Sequence, residues 1–109
     1  MADLERRTYI RKELSLDVDL SSPKMTRKYK TINLSMVGLF LEEDIKLPLG
    51  TRLRLKIKLP DDSKRVAVAA QVIHRLPGTG IGLKFLEFEG DGKKRLLAFL
   101  GEDTRILNG

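Results

Sequence analysis

The sequence contains no cysteine and no tryptophan, a single histidine, and only 6% aromatic residues. Without cysteine there is no disulfide framework, no cysteine-ligated zinc, no iron–sulfur cluster and no thiol nucleophile; a reducing compartment, by default the cytoplasm, is the expected setting. His74 as the lone histidine excludes a zinc site built from histidines, and a serine–histidine–aspartate triad would rest on one residue inside a strand-like run. Uncharged stretches such as Asn33–Leu41 and Val66–His74 fall far short of the roughly 20 apolar residues that cross a membrane as a helix. Asp3, Glu5, Arg6 and Arg7 stand where the apolar part of a secretory signal would begin, so none is expected.

What is present is a chain of 109 residues with 21 Lys+Arg against 15 Asp+Glu, a net charge of +6. This length supports one small domain with a compact core and leaves no room for a second. The positive balance favours an anionic partner without saying whether it is a nucleic acid, an acidic protein or a phosphorylated small molecule. Two local concentrations stand out, Arg6, Arg7, Arg11 and Lys12, then Lys24, Arg27, Lys28 and Lys30; either is, by itself, equally well a solvated surface.

Hydrophobic periodicity points to strands. Leu53, Leu55, Ile57 and Leu59 alternate with Arg52, Arg54, Lys56 and Lys58, the period of two that marks a strand with one wet face. Pro60, Asp61 and Asp62 supply a turn, and Val66–Arg75 returns as a β-branched run, so the pair reads as a hairpin. Ile81, Leu83 and Phe85 alternate after a Pro77–Gly80 turn, and Leu14, Leu16, Val18 and Leu20 do so upstream. Tyr29–Ile32 and Gly38–Leu41 complete six strands, separated by the bend-prone Asn33, Leu34 and Ser35. Only the end reads as a helix, over 91–100, with Asp91 as N-cap and Gly101 as stop. The expectation is an all-β fold, a closed barrel or tight sandwich that leaves no edges open, with a C-terminal helix packed on it. In residue terms that is a lead-in over 1–12, a barrel over 13–88, the helix, and a tail over 102–109.

No catalytic centre emerges. The acidic groups Glu42, Glu43 and Asp44, and Asp61 and Asp62, fall in turns without a nucleophile nearby, and neither a metal site nor a cofactor is expected. Two elements have a form suited to binding. In the run from Arg6 to Arg11, three guanidinium groups lie within six residues; their donor forks match phosphate oxygens and the O6 and N7 acceptors of guanine. Read alone, the run is equally a charged lead-in to the first strand. In the run from Asn33 to Gly38, small polar side chains at a turn stand ready to exchange hydrogen bonds with a ligand while glycine admits close approach. The alternative is a turn that caps its own backbone.

Together these elements resemble the PilZ domain family, whose signature is R-x-x-x-R followed by [D/N]-x-S-x-x-G at a turn between barrel strands; here they are Arg7 and Arg11, then Asn33, Ser35 and Gly38. The likeness runs from about Glu5 to Leu100 and includes the later strands and the closing helix. It implies a six-stranded antiparallel β-barrel with a C-terminal α-helix that binds the bacterial second messenger cyclic di-GMP, and not an enzyme. By that likeness Arg7 and Arg11 grip phosphate and guanine while Asn33, Ser35 and Gly38 meet a guanine edge. Arg6, just before the first motif, implies two mutually intercalated ligand molecules, and Lys84 follows the family's habit of a basic residue at that place. Where the family often carries a second glycine the chain has Val37, which narrows the backbone's freedom. The family further implies a lead-in that orders over the ligand and a separate downstream protein that reads the change. Two alternatives accompany this reading: a small basic barrel that binds nucleic acid through Arg52, Arg54, Lys56 and Lys58, and a PilZ-like interaction module that binds no ligand.

Overall fold

The structure, a computed structural model, describes residues 12–42, 46–60 and 64–108. They form β1 (Lys12–Glu13), β2 (Asp17–Ser22), β3 (Met25–Leu34), β4 (Gly38–Leu41), β5 (Arg52–Ile57), β6 (Val66–Leu76), β7 (Gly80–Phe88) and α1 (Gly92–Asn108). All pairings are antiparallel. The strand order β1-β3-β2-β5-β6-β7-β4 is closed by pairing of β4 back onto β3, so β2 to β7 make a six-stranded barrel. Closure removes free edges, and this is the architecture that the alternating sequence called for.

The first strand is broken where periodicity predicts continuity from Leu14 to Leu20. β1 pairs with the end of β3 and β2 with its beginning, and between them Thr31 replaces ladder bonds with its side chain. Its hydroxyl accepts from the Leu16 N–H at 2.9 Å and donates to the Leu14 carbonyl at 2.7 Å. Thr31 is buried, and these bonds satisfy its polar atom inside the barrel. β3 outruns the expected Tyr29–Ile32 at both ends, because Pro23 and Lys24 alone connect Ser22 to its partner Met25. A two-residue connection lets pairing start at once.

Alternation along β5 appears as Leu53, Leu55 and Ile57 inside and Arg52, Arg54 and Lys56 outside. Val18, Leu20, Leu34, Leu41, Val66, Val68, Ile81 and Leu83 complete the barrel interior, and Leu96 and Leu100 of α1 join the same core. The helix is held at the start of β6, where Arg95 donates to the carbonyls of Lys64 and Arg65 at 2.6 and 2.8 Å. Asp91 caps it as predicted, its carbonyl taking the Arg95 N–H at 3.0 Å. Gly101 does not end it: the backbone stays helical to Asn108. The glycines with positive φ are Gly50, Gly78 and Gly90, so Gly101 lacks the left-handed geometry of a stop signal. As an interior glycine it costs only about 1 kcal/mol relative to alanine. Among the described residues no helix is long and apolar enough to cross a membrane.

Two exposed carboxylates tie the surface together. Hydrogen bonding from Lys30, then its charge, holds the Asp17 carboxyl below the usual range, with Lys58 and Lys28 adding to it. A hydrogen bond from Arg95 does the same for Asp91. Since both are depressed in the folded state, the unfolded chain takes up protons first as pH falls through about 4. Their stabilisation is therefore complete above that pH and lost below it. Thermal midpoints measured from about pH 6 down to about pH 3 are expected to fall less steeply in an Asp17→Asn, Asp91→Asn double variant than in the parent; parallel curves would refute the assignment.

Candidate ligand-binding site

The β3–β4 connection carries the Asn33, Ser35 and Gly38 of the second motif. A bulge between Thr31 and Asn33 decides where they point, because β3 carries one residue more than β4 between the pairs Thr31–Leu41 and Asn33–Phe40. In an unbroken strand Asn33 would share the inner face with Thr31; the extra residue shifts the alternation by one. Leu34 takes the buried position instead, with 0% exposure, and Asn33 turns to the half-exposed outer side. No described residue forms a hydrogen bond with the Asn33 side chain, and it lines a groove of about 450 Å³ along β4, β7 and the end of β6. That volume lies in the roughly 300–1,000 Å³ range of small-molecule clefts.

Ser35 plays a different part. It is only 2% exposed, its amide and hydroxyl both donate to the Gly38 carbonyl at 2.9 and 3.3 Å, and its oxygen accepts from the Val37 N–H at 3.2 Å. The self-capped turn weighed from the sequence is thus what Ser35 builds, holding Asn33 and Gly38 apart at fixed geometry. A Ser35→Ala variant leaves the Val37 N–H without its acceptor. It is expected to remain folded while losing about 1–2 kcal/mol in urea unfolding; an unchanged midpoint would contradict this role.

Gly38 is required by packing and not by φ. A Cβ there would run into the carbonyl oxygen of Leu83 and come within 3.1 Å of the Lys84 Cα. The close approach that glycine permits is therefore between β4 and β7, which leaves the outer wall of the groove low at this point. Val37, flagged for replacing a family glycine, causes no strain, since none of the described non-glycine residues has positive φ. Its carbonyl accepts from the Phe85 N–H at 2.8 Å and so fastens the turn to β7. Lys84 is the cross-strand partner of Gly38, exposed and on the groove.

The structure brings Asn33, Gly38 and Lys84 to one groove with Ser35 beneath it. Arg6, Arg7 and Arg11 lie outside the described residues. What is described is the stretch that follows them: β1 pairs Lys12 with Leu34 and Glu13 with Asn33. The chain one residue after Arg11 therefore runs hydrogen-bonded beside the second motif. Lys12 also sets its Nζ 5.5 Å from the Phe99 ring centroid, a cation–π distance that links β1 to α1.

Sequence reasoning missed Phe40, His74 and Lys93 on the groove. Phe40 lies against Gly80 and Gly82, its Cδ1 3.3 Å from where a Gly82 Cβ would stand, and His74 covers the other side of Gly82. A bulge between Val72 and His74 shifts the outward phase of β6 there, which periodicity alone does not reveal; the paired Gly80 and Gly82 were the available signal. Among the described residues no carboxylate lines the groove, whereas Lys84 and Lys93 do, a setting that favours an anion. Among the described residues no group of three or more His, Cys, Asp or Glu is placed to hold a metal ion.

Comparison with known proteins bears on this arrangement. The family model described as PilZ domain matches residues 5–102. No curated protein matches the chain. Among solved structures, the inhibitor of motility MotI/DgrA of Bacillus subtilis is similar with a TM-score of 0.77 and 24% identity over 94% of the chain. At that identity the likeness is one of fold, and the chain spans about half of that protein, 52% of its length.

Proposed function

Because the chain belongs to the PilZ domain family, whose domains bind cyclic di-GMP, we propose that it is a cyclic di-GMP receptor that passes the signal to a separate protein and catalyses no reaction. The observation that carries this reading is the pairing of Glu13 with Asn33, which sets the strand that follows the arginine motif in sequence beside the asparagine motif, at an open groove that no carboxylate of the described residues lines. In this reading the Asn33 amide meets a guanine edge, with an acceptor and donors that no described residue occupies. Lys84, Arg7 and Arg11 take phosphate and guanine, and Arg6 accompanies a second, intercalated ligand molecule. Gly38 keeps the wall low, and Ser35 acts beneath it as a positioning residue.

In this reading the segment before Lys12 orders over the ligand and brings the arginines to it. Ordering each residue costs roughly 1–2 kcal/mol of backbone entropy, which charge-assisted bonds to two phosphates offset. A downstream protein would then recognise the ordered segment, so that ligand binding shifts a population of chain conformations.

Isothermal titration with cyclic di-GMP tests this directly. The expected result is saturable heat with two ligands per chain, and an affinity about three- to tenfold weaker for Asn33→Ala, the worth of one neutral hydrogen bond. Absence of heat with the parent protein would overturn the reading. One ligand per chain would remove the intercalated pair and leave the receptor.

A further inference from the structure

The barrel carries a second charged surface, distinct from the groove. In the ring of strands β3, β2, β5, β6, β7 and β4, β2 and β5 lie across the barrel from β7 and β4. Their outer face has a regular charge pattern fixed by register. Asp17 and Asp19 on β2 stand between lysines of both neighbours: Lys30 and Lys28 on β3, and Lys56 on β5 opposite Asp19. The amide of Lys58 donates to the Asp17 carbonyl at 2.9 Å, which sets Lys58 beside that row.

The carboxylates there already have partners. Asp17 pairs with Lys30 at 3.1 Å, Asp19 with Arg65, and Glu89 with Arg54 at 2.6 Å. Lys28, Arg52, Lys56 and Lys58 are exposed and form no ion pair with any described residue. Arg52 and Lys56 on β5 and Lys58 just past its end lie on one line, at steps of four and two residues, or roughly 13 and 7 Å. The ion-paired Arg54 fills the gap.

We propose that this face docks an extended acidic segment of a partner protein, laid along β5. An extended chain with acidic residues at alternate positions has the same two-residue period of roughly 7 Å, so its carboxylates fall in register with Arg52, Lys56 and Lys58. The pattern fits a polypeptide better than a nucleic acid or an anionic membrane. The described aromatic beside this face, Tyr29, is packed against the core next to Lys28 and Lys30 and gives bases no run of stacking platforms, and the convex wall presents few cations at once to a plane. Since the groove lies across the barrel, partner and nucleotide can be bound together.

Fluorescence anisotropy with labelled poly-L-glutamate, run beside an oligothymidylate and phosphatidylglycerol vesicles, tests the proposal. Poly-L-glutamate is expected to bind more tightly than either, and to weaken as salt shortens the screening length. An Arg52→Gln, Lys56→Gln, Lys58→Gln variant should lose about tenfold in affinity. The equally charged control Lys46→Gln, Arg75→Gln, Lys94→Gln should lose less than about twofold. Should the triple variant fail to fold, Lys56→Gln and Lys58→Gln tested singly should each weaken binding by about twofold. Equal losses in variant and control, preference for the oligonucleotide or the vesicles, or displacement of poly-L-glutamate by cyclic di-GMP would each overturn it. A protein that binds poly-L-glutamate in this way but gives no heat with cyclic di-GMP would refute the receptor reading and leave the docking face intact.

Discussion

Replacing Arg7 and Arg11 together by alanine is expected to reduce cyclic di-GMP affinity by about a hundredfold to ten-thousandfold. Hydrogen bonds to charged groups contribute about 1.5–3 kcal/mol each, so two lost guanidinium contacts sum to about 3–6 kcal/mol, and each 1.4 kcal/mol is tenfold. The geometry behind this is the β1–β3 pairing, which sets Glu13, two residues after Arg11 in sequence, opposite Asn33. A double Arg→Lys variant sharpens the test. It keeps the charge but loses the fork that engages phosphate or guanine with two parallel bonds, and an intermediate affinity is expected. Titration calorimetry measures the loss, and thermal unfolding of the free proteins should show nearly the same midpoint for all three. Full affinity in the alanine variant would mean that the arginine motif does not hold the ligand.

Gly38→Ala is expected to destabilise the barrel by about 3 kcal/mol, the upper end of ordinary overpacking. For a domain of this size that is a drop of roughly 10–20 °C in thermal midpoint. The reason is the nature of the obstacle: the added Cβ meets the Leu83 carbonyl oxygen and the Lys84 Cα, both main chain, so the only relief is separation of β4 from β7. Gly82→Ala provides the comparison. There the nearest atoms are side-chain carbons of His74 and Phe40 at 3.2 and 3.3 Å, which shift by rotation, so a much smaller loss is expected. Differential scanning calorimetry of the two variants distinguishes them. If Gly38→Ala melts with the parent, the close β4–β7 approach is not what glycine is needed for.

Arg7, Arg11 and Gly38 also show how differently the halves of the signature could be read. Arg7 and Arg11 are recognisable from side-chain chemistry and spacing. Gly38 is recognisable as necessary, but the surface it approaches is the neighbouring strand, which no linear pattern names. Ser35 likewise has the right chemistry for a ligand contact, and only the tertiary structure shows that its hydroxyl also builds the turn, through bonds to the Gly38 carbonyl and the Val37 N–H.

The sequence by itself determined the six strands of the barrel, the alternation that puts Leu53, Leu55 and Ile57 inside and the β5 cations outside, the helix start at Asp91, and the two motifs in their order. Each is a local property: periodicity, capping chemistry and spacing are written along the chain. Tertiary structure alone decided which way the site faces. A one-residue bulge moves Asn33 from the inner face to the outer one, a threonine hydroxyl breaks the first strand into β1 and β2, and a second bulge brings His74 to the groove. The physical reason is that a strand's side chains alternate with period two, so one extra residue reverses every direction beyond it. Which residue is the extra one depends on the pairing of β3 with β4 and of β6 with β7, a relation between distant segments that exists only once the barrel has closed.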